Sequence, residues 1–232
     1  MEHYNVVIMT PGHSMEKAYL LSLLETTQEL TALGITWSYS SVSSSDVALA
    51  REATVLGRQN SLPTYQKYES PLKGLATYDK LFLIDSDISW RVDQFMNLYH
   101  SEYDLVSGIY LQSDGESTTT FVDELTVSSE NPFNNGIRVL RKEEVRSKAS
   151  PFKVSGSGLG FMCIKQGVFE KVERPWFNHV VEEISISETE VNVEMLSEDL
   201  SFIRRVRKAG FEVYADPYAL VGHTKKVTLG WY

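Results

Sequence analysis

The first apolar run, Tyr4 to Thr10, stops at Pro11-Gly12. An unbroken run of that length predicts a strand buried on both faces. Ser14 stands behind it as a helix cap. Ala18, Leu20, Leu21, Leu23, Leu24 and Leu30 predict the apolar face of that helix. Gly34 closes it, and Ile35 to Tyr39 predicts a second strand. Ser43, Ser44, Ser45 and Asp46 cap a helix carrying Ala48, Ala50 and Ala53. Pro63 to Gly74 predicts a loop or short helix, and Leu81 to Ile84 is a third strand without polar alternation. Strand, helix, strand, helix, strand is the order of a parallel sheet with crossover helices.

The second half is less regular. Asp104 to Tyr110 predicts a strand, and the polar stretch Gln112 to Asn135 predicts a loop or hairpin. Gly156, Gly158 and Gly160 lead into an apolar strand, Phe161 to Ile164, with a helix expected at Val168 to Val172. Val181 to Leu196 is acidic and aperiodic, and reads as a surface loop. Leu200 to Ala209 predicts an amphipathic helix ended by Gly210, and Phe211 to Ala215 a late strand. No Pro/Gly/Ser-rich linker divides the chain, so one domain is expected.

Asp85-Ser86-Asp87 arrives directly behind the third strand. Open α/β sheets bind ligands at the carboxyl ends of their strands. Residues i and i+2 of an extended chain share a side, so Asp85 and Asp87 can face one hard cation. A metal held by one or two carboxylates keeps positions open for nucleotide phosphates. The competing reading is that these residues close a strand and cap a helix. Glu198-Asp199 opens the Leu200 helix, where acids favour the helix dipole; the alternative is a general base aimed into a cleft. His223, behind Val221-Gly222, can complete a metal site begun by carboxylates. Lys225 and Lys226 can meet phosphate oxygens, or form a solvated tail. Arg51 can pair with Asp87 or a phosphate, or sit in a surface ion pair. Trp176, after Pro175, either stacks on a sugar or belongs to the local core. Gly156-x-Gly158-x-Gly160 precedes a strand rather than a helix, which excludes the dinucleotide fingerprint. It reads as close backbone approach to a ligand, a bulge, or a turn.

Composition narrows the classes. The chain has 232 residues, 42% hydrophobic and 23% charged, with net charge -9, which argues against nucleic acid as a partner. An acidic chain can still hold a diphosphate through a divalent cation. Cys163 is the single cysteine, so no internal disulfide can form. Neither a signal peptide nor a membrane-spanning run is visible, and the expected location is the cytoplasm or a membrane surface by association.

The pieces occur in a telling order: Thr10-Pro11, Ala50-Arg51, Asp85-Ser86-Asp87, Ser155 to Met162, Ser197-Glu198-Asp199, Tyr214-Ala215-Asp216-Pro217 and Val221-Gly222-His223. Together they resemble the GT-A glycosyltransferases of the family 2-like group, in their small stand-alone bacterial or viral form. The resemblance covers nearly the whole chain. It implies one α/β domain, Rossmann-like, with a central mixed, mainly parallel sheet flanked by helices. Residues 1–110 would be the nucleotide-sugar half and 111–232 the acceptor and catalytic half. It implies Mn²⁺ or Mg²⁺ on Asp87 and His223, with Asp85 near the metal or the ribose. Thr10, Pro11, Arg51, Asp85, Ser86 and Lys225 would line the nucleotide-sugar pocket. Asp199 would be the base, with Glu198 beside it, and Gly158 and Trp176 would face the acceptor. The donor would be a UDP- or GDP-linked sugar and the acceptor a glycan or other hydroxyl, with inversion favoured over retention. One departure is the Ser-rich stretch Ser40 to Ser43, where the family carries an acid. Two rivals remain. A nucleotidyltransferase would carry a basic phosphate loop after the first strand, and Thr10 to Ser14 has no Lys or Arg. An inactive glycan-binding module would bind sugar without turning over.

Overall fold

The computed structural model describes residues 1–57, 66–123, 137–185 and 191–226. In chain order the elements are β1 (Glu2–Met9), α1 (Lys17–Ala32), β2 (Trp37–Ser40), α2 (Val47–Leu56), β3 (Ala76–Ile84), β4 (Ile88–Ser89), α3 (Val92–His100), β5 (Leu105–Ile109), β6 (Ser117–Asp123) and β7 (Ile137–Arg141). Then follow α4 (Lys142–Arg146), β8 (Phe152–Val154), β9 (Gly156–Ser157), β10 (Phe161–Lys165), β11 (Val181–Ser185), β12 (Val191–Met195), α5 (Glu198–Lys208), β13 (Val213–Leu220) and β14 (Gly222–His223).

Seven strands form one mixed sheet in the order β2-β1-β3-β10-β5-β13-β8. Strands β2, β1, β3, β5 and β13 run one way, and β10 and β8 run against them. Alternate residues of the central strands feed two separate cores. Leu81 and Leu83 of β3, with Met162 and Ile164 of β10, pack under α2 and α5. Phe82 and Ile84, with Phe161 and Cys163, pack under α1 and α3, where Phe82 stacks on Phe95 at 3.9 Å between centroids. Burial on both faces is why these strands lack polar alternation.

The helix ends follow local chemistry. Asp46 caps α2 by accepting from the Leu49 N–H at 3.0 Å, and Gly57 ends it with φ 66°. Ser197 caps α5, accepting from Leu200 N–H at 3.4 Å, so Glu198 and Asp199 fall in its first turn.

Several expectations need correction. Helix α1 begins at Lys17 behind Glu16, with no side-chain cap from Ser14. It buries Tyr19, Ser22, Thr26 and Leu30 and leaves Leu20, Leu21 and Leu24 at 44%, 50% and 49% exposure. Trp90 explains the inversion: its backbone N–H donates to Ser22 Oγ at 2.9 Å and its indole to Thr26 Oγ1 at 2.8 Å. A buried indole and a buried N–H need acceptors. The acidic stretch 181–196 contains a hairpin, β11 paired antiparallel with β12; residues 186–190 lie outside the described residues. The helix expected at Val168 to Val172 is a single 3-10 turn, Phe169–Lys171. The polar stretch after Gln112, expected as a loop or hairpin, agrees with the hairpin: β6 pairs antiparallel with β7, and also with β9, while 124–136 fall outside the described residues. The late strand runs on to Leu220, past its expected end at Ala215.

Candidate active site

Strands β1, β3, β5 and β13 deliver Thr10-Pro11, Asp85, Tyr110 and Val221 to one edge of the sheet. A tight turn then sets the acidic segment. Asp85 N–H donates to Gly160 O at 3.0 Å, and Ile88 N–H donates to Asp85 O at 3.1 Å. The chain's last described strand comes back to this turn: β14 pairs with β4, His223 opposite Ile88 and Gly222 opposite Ser89. Thr224 N–H donates to Asp87 O at 2.8 Å. A Cβ on Gly222 would lie 2.4 Å from Ser89 Oγ, so a side chain here would make the Ser89 hydroxyl turn away. The pairing carries His223 to Asp87 across more than a hundred residues of sequence.

Two charge clusters result. The first surrounds Arg51, which is 2% exposed. Its guanidinium meets Asp85 twice, Nη1 to Oδ1 at 2.9 Å and Nη2 to Oδ2 at 3.1 Å. It also meets Asp199 Oδ1 at 3.2 Å and Glu198 Oε1 at 3.6 Å. Three carboxylates around one cation leave an excess of negative charge. Burial raises the Asp199 carboxyl above the usual carboxylate range; Arg51 opposes the shift, and Glu198 and Asp85 add to it. Its Oδ1 is sealed from solvent, yet 22% of the side chain stays exposed, so the group can still meet a ligand.

The second cluster is Asp87, His223 and Lys225. His223 Nε2 lies 3.2 Å from Asp87 Oδ2, and Lys225 Nζ lies 3.4 Å from the same oxygen. Burial disfavours the Asp87 charge, but the His223 hydrogen bond and the charges of His223 and Lys225 outweigh it and hold the carboxyl below its usual value. His223 Nδ1 faces the Leu111 carbonyl at 2.8 Å. A carbonyl only accepts, so Nδ1 carries the hydrogen and Nε2 is the atom turned to Asp87. A neutral ring would then aim a lone pair at a carboxylate. A proton or a metal cation on Nε2 removes that conflict. The donor set of hard carboxylate oxygen and imidazole nitrogen fits Mn²⁺ or Mg²⁺. Among the described residues, no three His, Cys, Asp or Glu side chains converge on one point, and Asp85 is turned to Arg51.

A cleft of about 280 Å³ lies beside both clusters, lined by Pro11, Gly12, Ser44, Ser45, Val47, Ala50 and Asp85 to Asp87. Pro11, Asp85, Ser86 and Asp87 are therefore brought to one cleft. Thr10 does not reach the cleft: it is 1% exposed and its hydroxyl bonds to Tyr19. Arg51 pairs with Asp85 rather than Asp87, and its burial keeps it from a phosphate. Trp176 is wholly buried, its indole donating to Val172 O at 3.1 Å, so it offers no face to a sugar. Gly158 and Gly160 approach a side chain, not a ligand: a Cβ on either would lie 2.3 or 2.6 Å from Tyr110 Oη, which accepts from Gly160 N–H at 3.0 Å.

Sequence reasoning missed Tyr110, which underlies the site, and Ser44, Ser45 and Val47, which line the cleft. The serines were visible only as capping residues. Tyr110 carried no signal beyond ending a strand.

No protein-family model and no curated protein matches the sequence. Among solved structures the chain is similar to A197 from STIV, at 16% identity over 98% of each chain and TM-score 0.49. It is also similar to the catalytic domain of Drosophila β1,4-galactosyltransferase 7 in complex with xylobiose, at 12% identity, 97% of this chain and 72% of that one, TM-score 0.45. A third likeness is to GalNAc-T7 with UDP, GalNAc and Mn²⁺, at 8% identity, 97% of this chain and 44% of that one, TM-score 0.48. At these identities and scores the likeness carries nothing about activity, which rests on the site alone.

Proposed function

We propose that the chain is a single-domain, metal-dependent glycosyltransferase of GT-A type, moving a sugar from a UDP- or GDP-linked donor to an acceptor hydroxyl. The observation that supports this reading most is the Asp87–His223 pair. Its imidazole nitrogen and carboxylate oxygen face each other at 3.2 Å beside a cleft of about 280 Å³.

In this reading the cleft from Pro11 to Asp87 takes the nucleoside and Ser44 and Ser45 offer it hydroxyls. Asp87 and His223 hold the cation, and Asp85, pinned by Arg51, faces the ribose side. A divalent cation at this place supplies positive charge where negative charge grows on the leaving diphosphate. Lys225 adds a second positive charge toward the same oxygens. Asp199 accepts the proton of the attacking hydroxyl, which favours inversion. Its raised pKa suits that task, because a stronger base is a better proton acceptor near neutral pH. Arg51 holds Asp85 and Asp199 in register and does not touch substrate. Residues 1–110 form the nucleotide-sugar half and 111–232 the acceptor-binding and catalytic half. No helix among the described residues is long and apolar enough to cross a membrane.

Thermal melts with UDP or GDP, each with Mn²⁺ or EDTA, test the donor side. A ligand that binds only the folded state raises apparent stability by RT ln(1 + [L]/Kd), about 2.7 kcal/mol at a hundredfold excess over Kd. One nucleotide should raise the midpoint with Mn²⁺ and fail to do so with EDTA. Equal shifts in both conditions would remove the cation from the account.

A further inference from the structure

A second cavity, of about 190 Å³, is lined in part by Leu111 and Val221. Its walls are Ile109, Tyr110, Leu111, Val145, Leu220 and Val221, with Lys142 and Arg146 at the rim. The polar groups in this wall are already used. Val221 N–H donates to Ile109 O at 2.9 Å, the Leu111 carbonyl accepts from His223, and Thr118 Oγ1 donates to Leu140 O at 2.8 Å. The rim cations each lie against an acid, Lys142 against Glu116 and Arg146 against Glu143, outside the apolar wall. A pocket with spent polar groups rewards apolar atoms alone. A cavity of about 150 Å³ is known to hold one benzene ring, so one ring fits.

Leu111 and Val221 also border a polar cleft of about 330 Å³, lined by Gln112, Ser113, His223 and Lys225. The apolar pocket and the polar cleft therefore adjoin along Leu111 and Val221. We propose that the pocket binds the apolar aglycone of the acceptor, an aromatic ring or short alkyl group, while the acceptor's polar end lies along Gln112 and Ser113. This deepens the glycosyltransferase reading and rests on it: the acceptor is an amphipathic glycoside rather than a free sugar.

The test compares binding of 4-nitrophenyl β-glucoside and methyl β-glucoside to the full chain without donor, followed by the methyl NMR signals of Val145, Leu220 and Val221. The aryl glycoside should bind about tenfold tighter or better, since apolar pockets discriminate at that scale, and all three signals should move. Leu220 is 44% exposed, so Leu220→Trp plugs the mouth and Leu220→Asp makes it polar without threatening the core. Both variants should erase the preference while keeping the wild-type melting midpoint. Equal affinity for the two glycosides, or a preference that survives both variants, would overturn the proposal. Turnover is read separately: a clear aryl preference with no transfer from any nucleotide sugar would defeat the transferase reading and leave the pocket's selectivity standing.

Discussion

Asp85 and Asp87 sit two residues apart and live in different electrostatic worlds. Asp85 is held by both terminal nitrogens of a guanidinium that is 2% exposed and shared with Glu198 and Asp199. Asp87 is held by His223 and by Lys225, whose side chain is 46% exposed. A buried arginine cannot leave without stranding three carboxylates, whereas an exposed lysine can turn away at small cost. The first carboxylate is therefore part of the framework. The second is the one free to exchange its partner for a cation.

The contrast can be broken most forcefully at Arg51. Arg51→Met should cost about 3–5 kcal/mol, the range for stripping one partner from a buried charge cluster, read as a fall in the chemical-denaturation midpoint. Loss below about 1 kcal/mol would mean that the cluster is not structural. Asp199→Asn should lower transfer by about 10²–10⁴-fold, the contribution of a positioned base, with donor nucleotide affinity unchanged; a collapse of that affinity would move Asp199 out of the base role. Its titration sharpens the point. Arg51 of α2, Asp85 behind β3, Glu198 of α5 and the Leu159 N–H all face it. The base form exists only above its raised pKa, so transfer should climb with pH through a value above that of an ordinary carboxylate. A folded-state pKa above the unfolded one favours the protonated form, so wild type should lose stability relative to Asp199→Asn as pH rises from about 4 toward that raised pKa. His223→Gln should weaken Mn²⁺ affinity by at least about 10-fold, since losing even an outer partner of a metal ligand costs about 10–100-fold, with the melting midpoint unmoved. Smallest of all, Leu21→Ser should change stability by no more than about 0.5 kcal/mol, because that leucine is already half exposed.

Strands β1, β3, β5 and β10 were legible because burial on both faces writes itself as continuous apolar runs. The face of α1 was misread for a reason the helix does not contain: Trp90, more than sixty residues on, recruits Ser22 and Thr26 inward and turns Leu20, Leu21 and Leu24 to solvent. The β11–β12 hairpin was hidden by its many acids and its short strands. At the site, Asp85, Asp87, Glu198, Asp199 and His223 stand out by residue type and position. The grouping of Arg51 with Asp85, Glu198 and Asp199 does not, because it depends on how α2, β3 and α5 meet. Trp176 shows the converse, an aromatic whose neighbours make it core.

Release of nucleoside diphosphate from UDP- and GDP-sugars, in the presence of Mn²⁺ or EDTA, tests the account most directly when wild type is run beside Asp87→Asn. The account predicts release by wild type with Mn²⁺, none with EDTA, and a loss of at least about a thousandfold in a variant that melts like wild type. Undiminished release by Asp87→Asn, or release that ignores EDTA, would contradict it.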